Sequence, residues 1–137
     1  MIRKCEEKDL PAVMEIEKLS FLHPYPLFVF KRFLHSHFFV SEENGKVVGY
    51  IIAVKMGCKA IIISIAVHPS FRRRGHGKNL IKHVENESKA SLLEIQVRRS
   101  NTDAQKFYLA LGFEKKEVIP NYYQNGEDAF VMVKKLS

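Results

Sequence analysis

The sequence predicts an α/β fold, a mixed central β-sheet with helices on both faces. Three observations carry that expectation. Short apolar runs of strand length alternate with segments whose apolar residues recur at helical spacing. The pair Asn44-Gly45 separates two strand-like runs, residues 38–41 and 46–54, and is the strongest short-range sign of a hairpin. A third run, residues 60–67, is apolar except for Ser64 and ends abruptly at His68-Pro69. It passes through a basic, glycine-containing stretch straight into an amphipathic segment.

The elements follow in order. Residues 2–6 suit a short opening strand, and Asp9 before Leu10-Pro11 suits a helix cap with proline in the first turn. Leu10, Val13, Met14 and Ile16 then give one apolar face as far as Ser20. Residues 21–26, with two prolines and two aromatics, form a loop before a second short helix carrying Phe30, Phe33 and Leu34. Gly57 turns the chain from the second hairpin strand into the strand at 60–67. Leu80, Ile81 and Val84 mark a helix ending near Lys89, and residues 92–97 a further strand. The polar string Ser100-Asn101-Thr102-Asp103 offers several caps to a helix with the stripe Ala104, Phe107, Tyr108 and Leu111, and Gly112 suits a left-handed C-terminal cap. Two last strands, near residues 113–118 and 129–134, flank a loop containing Asn125-Gly126. The order is β-α-α-β-β-β-α-β-α-β-β.

At 137 residues the chain reads as a single domain, 1–137, able to bury roughly two-thirds of its unfolded surface. The first residues lack the apolar core of a secretory signal, and no apolar stretch approaches the ~20 residues that span a bilayer. No membrane association is therefore expected. Cys5 and Cys58 fit neither a zinc nor a disulfide framework, as suits the reducing cytoplasm, and Cys5 reads as a packed strand residue. His35 and His37 have no carboxylate or cysteine nearby in sequence, so they read as a solvated loop and no metal is expected. The formal charge is +7, but apart from residues 72–74 and 98–99 the basic residues are scattered, without the aromatic interleaving of a single-strand binder. Nucleic acid is thus disfavoured. A phosphate-rich ligand, or the neighbourhood of a ribosome, accounts for the charge equally well.

Residues 67–78, Val-His-Pro-Ser-Phe-Arg-Arg-Arg-Gly-His-Gly-Lys, have the parts of an anion cradle. A helix N-terminus presents unpaired N–H groups and about half a positive charge, and Gly75 and Gly77 keep side chains out of the approach to those amides. A nucleotide P-loop is excluded by Arg72 and Asn79, which stand where glycine and Ser/Thr belong, and a dinucleotide fingerprint by Leu80 at its third glycine. The ligand class is phosphate or pyrophosphate.

The pattern Arg72-x-x-Gly75-x-Gly77 resembles the acetyl-CoA signature of the GNAT N-acetyltransferases, whose element order this chain shares over essentially its whole length. Residues 93–101, Leu-Glu-Ile-Gln-Val-Arg-Arg-Ser-Asn, with Phe107-Tyr108 and Leu111-Gly112-Phe113, are similar to the protein N-terminal acetyltransferases, both RimI-type enzymes and NatA-type catalytic subunits. Residues 121–129, Asn-Tyr-Tyr-Gln-Asn-Gly-Glu-Asp-Ala, carry that likeness furthest.

The resemblance implies a GNAT fold splayed between its fourth and fifth strands, with acetyl-CoA as co-substrate. It implies backbone groups of Ile65, Ala66 and Val67 along the pantetheine arm, and Arg72, Arg73, Arg74, Gly75, His76, Gly77 and Lys78 around the pyrophosphate, mainly through amides. Asn101 would fix the arm further along, and Tyr108 would protonate the departing thiolate. Phe21, Leu22 and Tyr25, with Tyr122 and Tyr123, would form the groove for a protein N-terminus. Ribosomes or an auxiliary subunit are implied as partners. One departure stands out: Gln96 occupies the place of the RimI-type glutamate, and His23 stands where NatA-type subunits have theirs. Gln96 cannot accept a proton at neutral pH, whereas histidine, with an ordinary pKa near ~6.5, can. Other readings stay open: core packing for Tyr108, a helix cap for Asn101, a loop plug for Tyr122 and Tyr123. For the whole chain they are transfer to a small amine or a lysine, a non-catalytic CoA binder, or a basic nucleic-acid module.

Overall fold

A computed structural model of the chain describes residues 1–136. Its elements run β1 (Ile2–Lys4), α1 (Leu10–Ser20), α2 (Leu27–Phe33), β2 (His37–Glu43), β3 (Lys46–Met56), β4 (Lys59–Val67), α3 (His76–Ser88), β5 (Leu92–Arg98), α4 (Thr102–Ala110), β6 (Glu114–Ile119) and β7 (Ala129–Lys135). The strands form one seven-stranded sheet in the order β1-β2-β3-β4-β5-β7-β6. Every neighbouring pair is antiparallel except β4 and β5. The expected mixed sheet is therefore present, with the expected order of elements.

Alternation along β2 and β3 divides the core between the two faces. Phe39, Ile51 and Ala53 pack with Leu80, Ile81 and Val84 of α3 and with Leu93, Ile95 and Tyr108. Phe38, Val40, Tyr50 and Ile52 pack on the other side, with Leu10, Val13 and Ile16 of α1 and Phe30 of α2. The register explains the partition, since Phe39 opposes Ile51 while Phe38 opposes Ile52. Asn44 and Gly45 both hold positive φ, 54° and 77°, which a two-residue hairpin with the right twist requires.

Two details differ from expectation. Asp9 makes no side-chain cap on α1. Its carboxylate instead accepts two hydrogen bonds from Arg3, at 2.7 and 2.8 Å, and one from the Glu6 amide at 2.8 Å, closing a 3₁₀ turn before the helix. Arg3 draws the Asp9 pKa below the ordinary carboxylate range. His37 lies not in a loop but at the start of β2, where burial lowers its pKa.

Candidate active site

β4 opens the site through two coincident irregularities. Against β3, Ile52 pairs with Ser64 and Ala53 with Ile62, so Ile63 is an extra residue, a β-bulge. The bulge reverses the alternation of the strand. Ala60 and Ile62 belong to the α3 side, whereas Ala66 belongs to the α1 side. Along its other edge β4 pairs with β5 only from Lys59–Leu92 to Ile62–Ile95. Beyond that point β4 continues to Val67 and β5 to Arg98 with no ladder between them. The strands part, and a cleft of about 560 Å³ lies between the end of β4, the loop into α3 and the start of that helix, and α4.

Most of the residues expected around a cofactor line this cleft. Ile65, Ala66, Val67, Arg72, Arg73, Gly75, His76, Gly77, Lys78, Asn101 and Tyr108 all do so. Gly75 caps α3 in the left-handed conformation, φ 87°, and the first helical bond runs from Asn79 N–H to Gly75. The amides of His76, Gly77 and Lys78 are left with no acceptor among the described residues. Arg73 also sits at positive φ, 63°, a conformation that costs a non-glycine residue roughly 1 kcal/mol. Gly77 serves a purpose that the sequence does not show. A Cβ there would lie 3.2 Å from Cζ of Phe107, so its absence lets α4 approach the start of α3.

The loop cations divide by role. Arg72 donates Nε to the Val67 carbonyl at 3.0 Å and reaches Ser20, so it fastens the end of β4 to α1. Arg74 is ion-paired with Glu43 and lies over the Phe71 ring, and it does not line the cleft. The His76 side chain is held between Ser41, at 2.6 Å, and Glu43, at 3.1 Å. Those contacts pull Glu43 below its ordinary pKa, His76 contributing most. Arg73 and Lys78 form no ion pair among the described residues and stand at the cleft. Asn101 caps α4, its Oδ1 accepting the Ala104 amide at 3.1 Å, and also borders the cleft.

Tyr108 is 5% exposed, edge-on to Phe107 and Phe113. Burial alone raises its pKa, so the phenol keeps its proton well beyond neutral pH. Its hydroxyl bonds to no side chain or backbone group among the described residues, yet it is not sealed off, because no fully buried side-chain polar atom there lacks a partner. A protonated donor thus borders the open space.

A second group of predicted residues gathers around Gln96. Tyr122 Oη donates to Gln96 Oε1 at 2.9 Å, and Tyr122 and Tyr123 stand edge to face, 5.0 Å apart. Arg98 explains why the loop between β6 and β7 lies there. Its guanidinium sits 3.9 Å from the Tyr123 ring centroid and donates to Glu127 at 3.0 Å. Glu127 also accepts the Ser100 amide at 2.7 Å, and Asp128 accepts from Arg99 and from the Asn121 amide, each at 3.0 Å. Ser100 and then Arg98 lower the Glu127 pKa to about 2. Burial, and after it the nearby Glu17 carboxylate, raise the Tyr25 pKa. Phe21 lines the cleft, whereas Leu22 is 90% exposed and His23 is exposed and does not line it.

Sequence reasoning missed several participants. Ser20, Phe71, Asp103 and Phe107 also line the cleft, and Arg98, Glu127 and Asp128 anchor the tyrosine loop. The most unusual is Glu17, 2% exposed and bonded to Tyr50, Ser64 and Tyr25. Its signal was present: it lies seven residues after Leu10 and four after Val13, a core position on α1 filled by a charge.

Known proteins resemble this chain over nearly its whole length. An N-acetyltransferase of Methanocaldococcus jannaschii, itself uncharacterized, is 39% identical over 98% of this chain and 91% of its own. The N-alpha-acetyltransferase of Sulfurisphaera tokodaii is 33% identical over 96% of this chain and 90% of its own. The crystal structure of the ribosomal-protein-S18-alanine N-acetyltransferase from Escherichia coli matches with a TM-score of 0.90 at 31% identity, covering 100% of this chain and 94% of that one. The profile of the acetyltransferase (GNAT) family matches residues 10–113, from the start of α1 to the end of the α4 turn. The chain belongs to the acetyltransferase (GNAT) family.

Proposed function

We propose that this protein transfers an acetyl group from acetyl-CoA to the N-terminal α-amine of other proteins, within a complex that holds both substrates. The observation that carries this reading is the cationic cleft at the end of β4, with Tyr122 and Tyr123 gathered about Gln96 of β5. The relatives named as N-alpha-acetyltransferase and as S18-alanine N-acetyltransferase support the same substrate class.

The cleft suits the cofactor. The amides of His76, Gly77 and Lys78 and the charges of Arg73 and Lys78 would hold the diphosphate. The strand edge at Ile65 and Ala66 would lie along the amide-bearing arm. When bound, acetyl-CoA supplies an activated acyl thioester. Tyr108 then acts as general acid, moving the proton on Oη to the leaving sulfur. Asn101 shapes the far wall through its cap on α4, and Arg72 and Arg74 hold the loop from behind.

The acceptor lies against Phe21, Tyr25, Tyr122 and Tyr123. Gln96 orients Tyr122 and takes no proton. A magnitude makes this workable. An α-amine with pKa near ~7.8 is roughly a tenth neutral at pH 7, whereas lysine near ~10.4 is neutral about 0.04% of the time, a gap of about 3.5 kcal/mol. A site with no carboxylate at the Gln96 position therefore suits α-amines far better than lysine. The amine proton would leave through water to solvent. The same reading puts the enzyme in the cytoplasm, with nascent or ribosomal proteins as substrates. The test is calorimetric titration with acetyl-CoA, followed by turnover on peptides with free N-termini. Tight salt-resistant nucleic-acid binding without acetyl-CoA binding would overturn the reading.

A further inference from the structure

Glu17 occupies an expensive position. It lies in the last turn of α1 and is 2% exposed, where a carboxylate is kept only if donors are arranged for it. Both oxygens have partners, and the partners lie on different elements. Oε1 accepts from the Tyr50 hydroxyl and from Ser64 Oγ at 3.4 Å, the serine that follows the bulge of β4. Oε2 accepts the backbone amide of Tyr25 at 3.0 Å. Tyr25 stands between Pro24 and Pro26, neither of which has an N–H, so its amide is the one backbone donor that this stretch of the loop can offer.

We infer that Glu17 is a positioning residue for the acceptor, joining the loop wall at Tyr25 to the bulged segment of β4 so that the groove keeps its width at the strand split. The inference rests on the assignment of residues 21–26 to the acceptor groove. It also gives the carboxylate a reason to be there. The donors it accepts from sit on a strand and on a loop, which the carboxylate thereby joins. Tyr50 Oη and Ser64 Oγ lie 3.0 Å apart, so without Glu17 one hydroxyl could donate to the other while the second hydroxyl proton loses its acceptor. The Tyr25 amide would lose its partner as well.

Two variants of the full chain test this. Glu17→Met keeps the volume and removes the acceptor, whereas Glu17→Gln keeps an oxygen for the Tyr25 amide. Expected for Glu17→Met is a lowered Tm in a protein that still folds, together with about tenfold faster hydrogen exchange at the Tyr25 amide. The peptide KM should rise about tenfold, with kcat within about threefold and acetyl-CoA affinity unchanged. Glu17→Gln should stay within about threefold of wild type in KM. A purely structural role would lower acetyl-CoA affinity along with Tm while the peptide KM rose, and that result would overturn the inference, as would unchanged exchange and KM in Glu17→Met. Should the wild type acetylate no N-terminal peptide, the functional reading fails by itself. Exchange at Tyr25 still decides whether Glu17 holds the loop.

Discussion

Replacing Tyr108 by phenylalanine separates chemistry from packing. The ring is buried against Phe107 and Phe113, at centroid distances of 5.2 and 5.3 Å, and phenylalanine preserves both contacts. The hydroxyl donates to no protein group among the described residues, so its loss breaks no internal hydrogen bond and should change stability by no more than about 0.5 kcal/mol. Catalysis should respond very differently. A positioned general acid contributes roughly 10²- to 10⁴-fold, and a loss of 10² corresponds to about 2.7 kcal/mol in the barrier. Steady-state acetylation of an N-terminal peptide, with thermal melting on the same preparation, reads both effects. Expected is a kcat reduced about 100-fold or more with an unchanged melting curve and unchanged acetyl-CoA binding. Because burial holds the phenol's pKa above its ordinary value, no loss of activity from Tyr108 ionisation should appear up to about pH 10. Wild-type turnover in a well-folded Tyr108→Phe protein would leave the residue with a packing role and refute the reasoning.

Gly77→Val brings a side chain to within 3.2 Å of Phe107 Cζ, and calorimetry should show acetyl-CoA binding weakened about tenfold or more. Arg98→Ala removes both the cation over Tyr123 and the partner of Glu127, so the peptide KM should rise about tenfold while acetyl-CoA affinity stays unchanged. Glu127 has a depressed pKa in the folded protein. Its contribution is therefore present above the ordinary glutamate value, roughly 4.3, and is lost as pH falls through about 2. Fluorescence of the tyrosine loop should accordingly show no transition from this group between about pH 5 and 8. The kcat/KM profile should rise through about pH 7 to 8 with the substrate amine. His23→Ala and Gln96→Ala should lower activity only modestly, and Gln96→Glu should raise it. Abolished turnover in a folded His23→Ala variant that still binds acetyl-CoA would make His23 the base.

The order of elements was legible in the sequence because its punctuation is local. Asn44-Gly45, Gly57 and Gly112 each take the positive φ that their place in a turn suggests. The cradle was legible for the same reason, being one continuous stretch after a buried strand. What stayed hidden depends on distant pairing. The bulge at Ile63 is a register slip against β3, and nothing within residues 60–67 announces it. Glu127 and Asp128 lie in the stretch that carries the family likeness, but their partners Arg98 and Arg99, at and just past the end of β5, could not be read from that stretch. Asp9 shows the limit of cap reasoning. A carboxylate just before a helix suits a cap, but Arg3 on the neighbouring strand offered two charge-assisted bonds in its place.

The choice of an α-amine is tested most directly by a competition within one molecule. A peptide with a free N-terminal alanine and an internal lysine, incubated with acetyl-CoA and this protein at pH 7.5, is mapped for acetyl position by fragmentation mass spectrometry. Expected is a single acetyl group on the N-terminal nitrogen, with the lysine unmodified. Acetylation of the lysine Nζ, with the α-amine left free, would contradict the assignment.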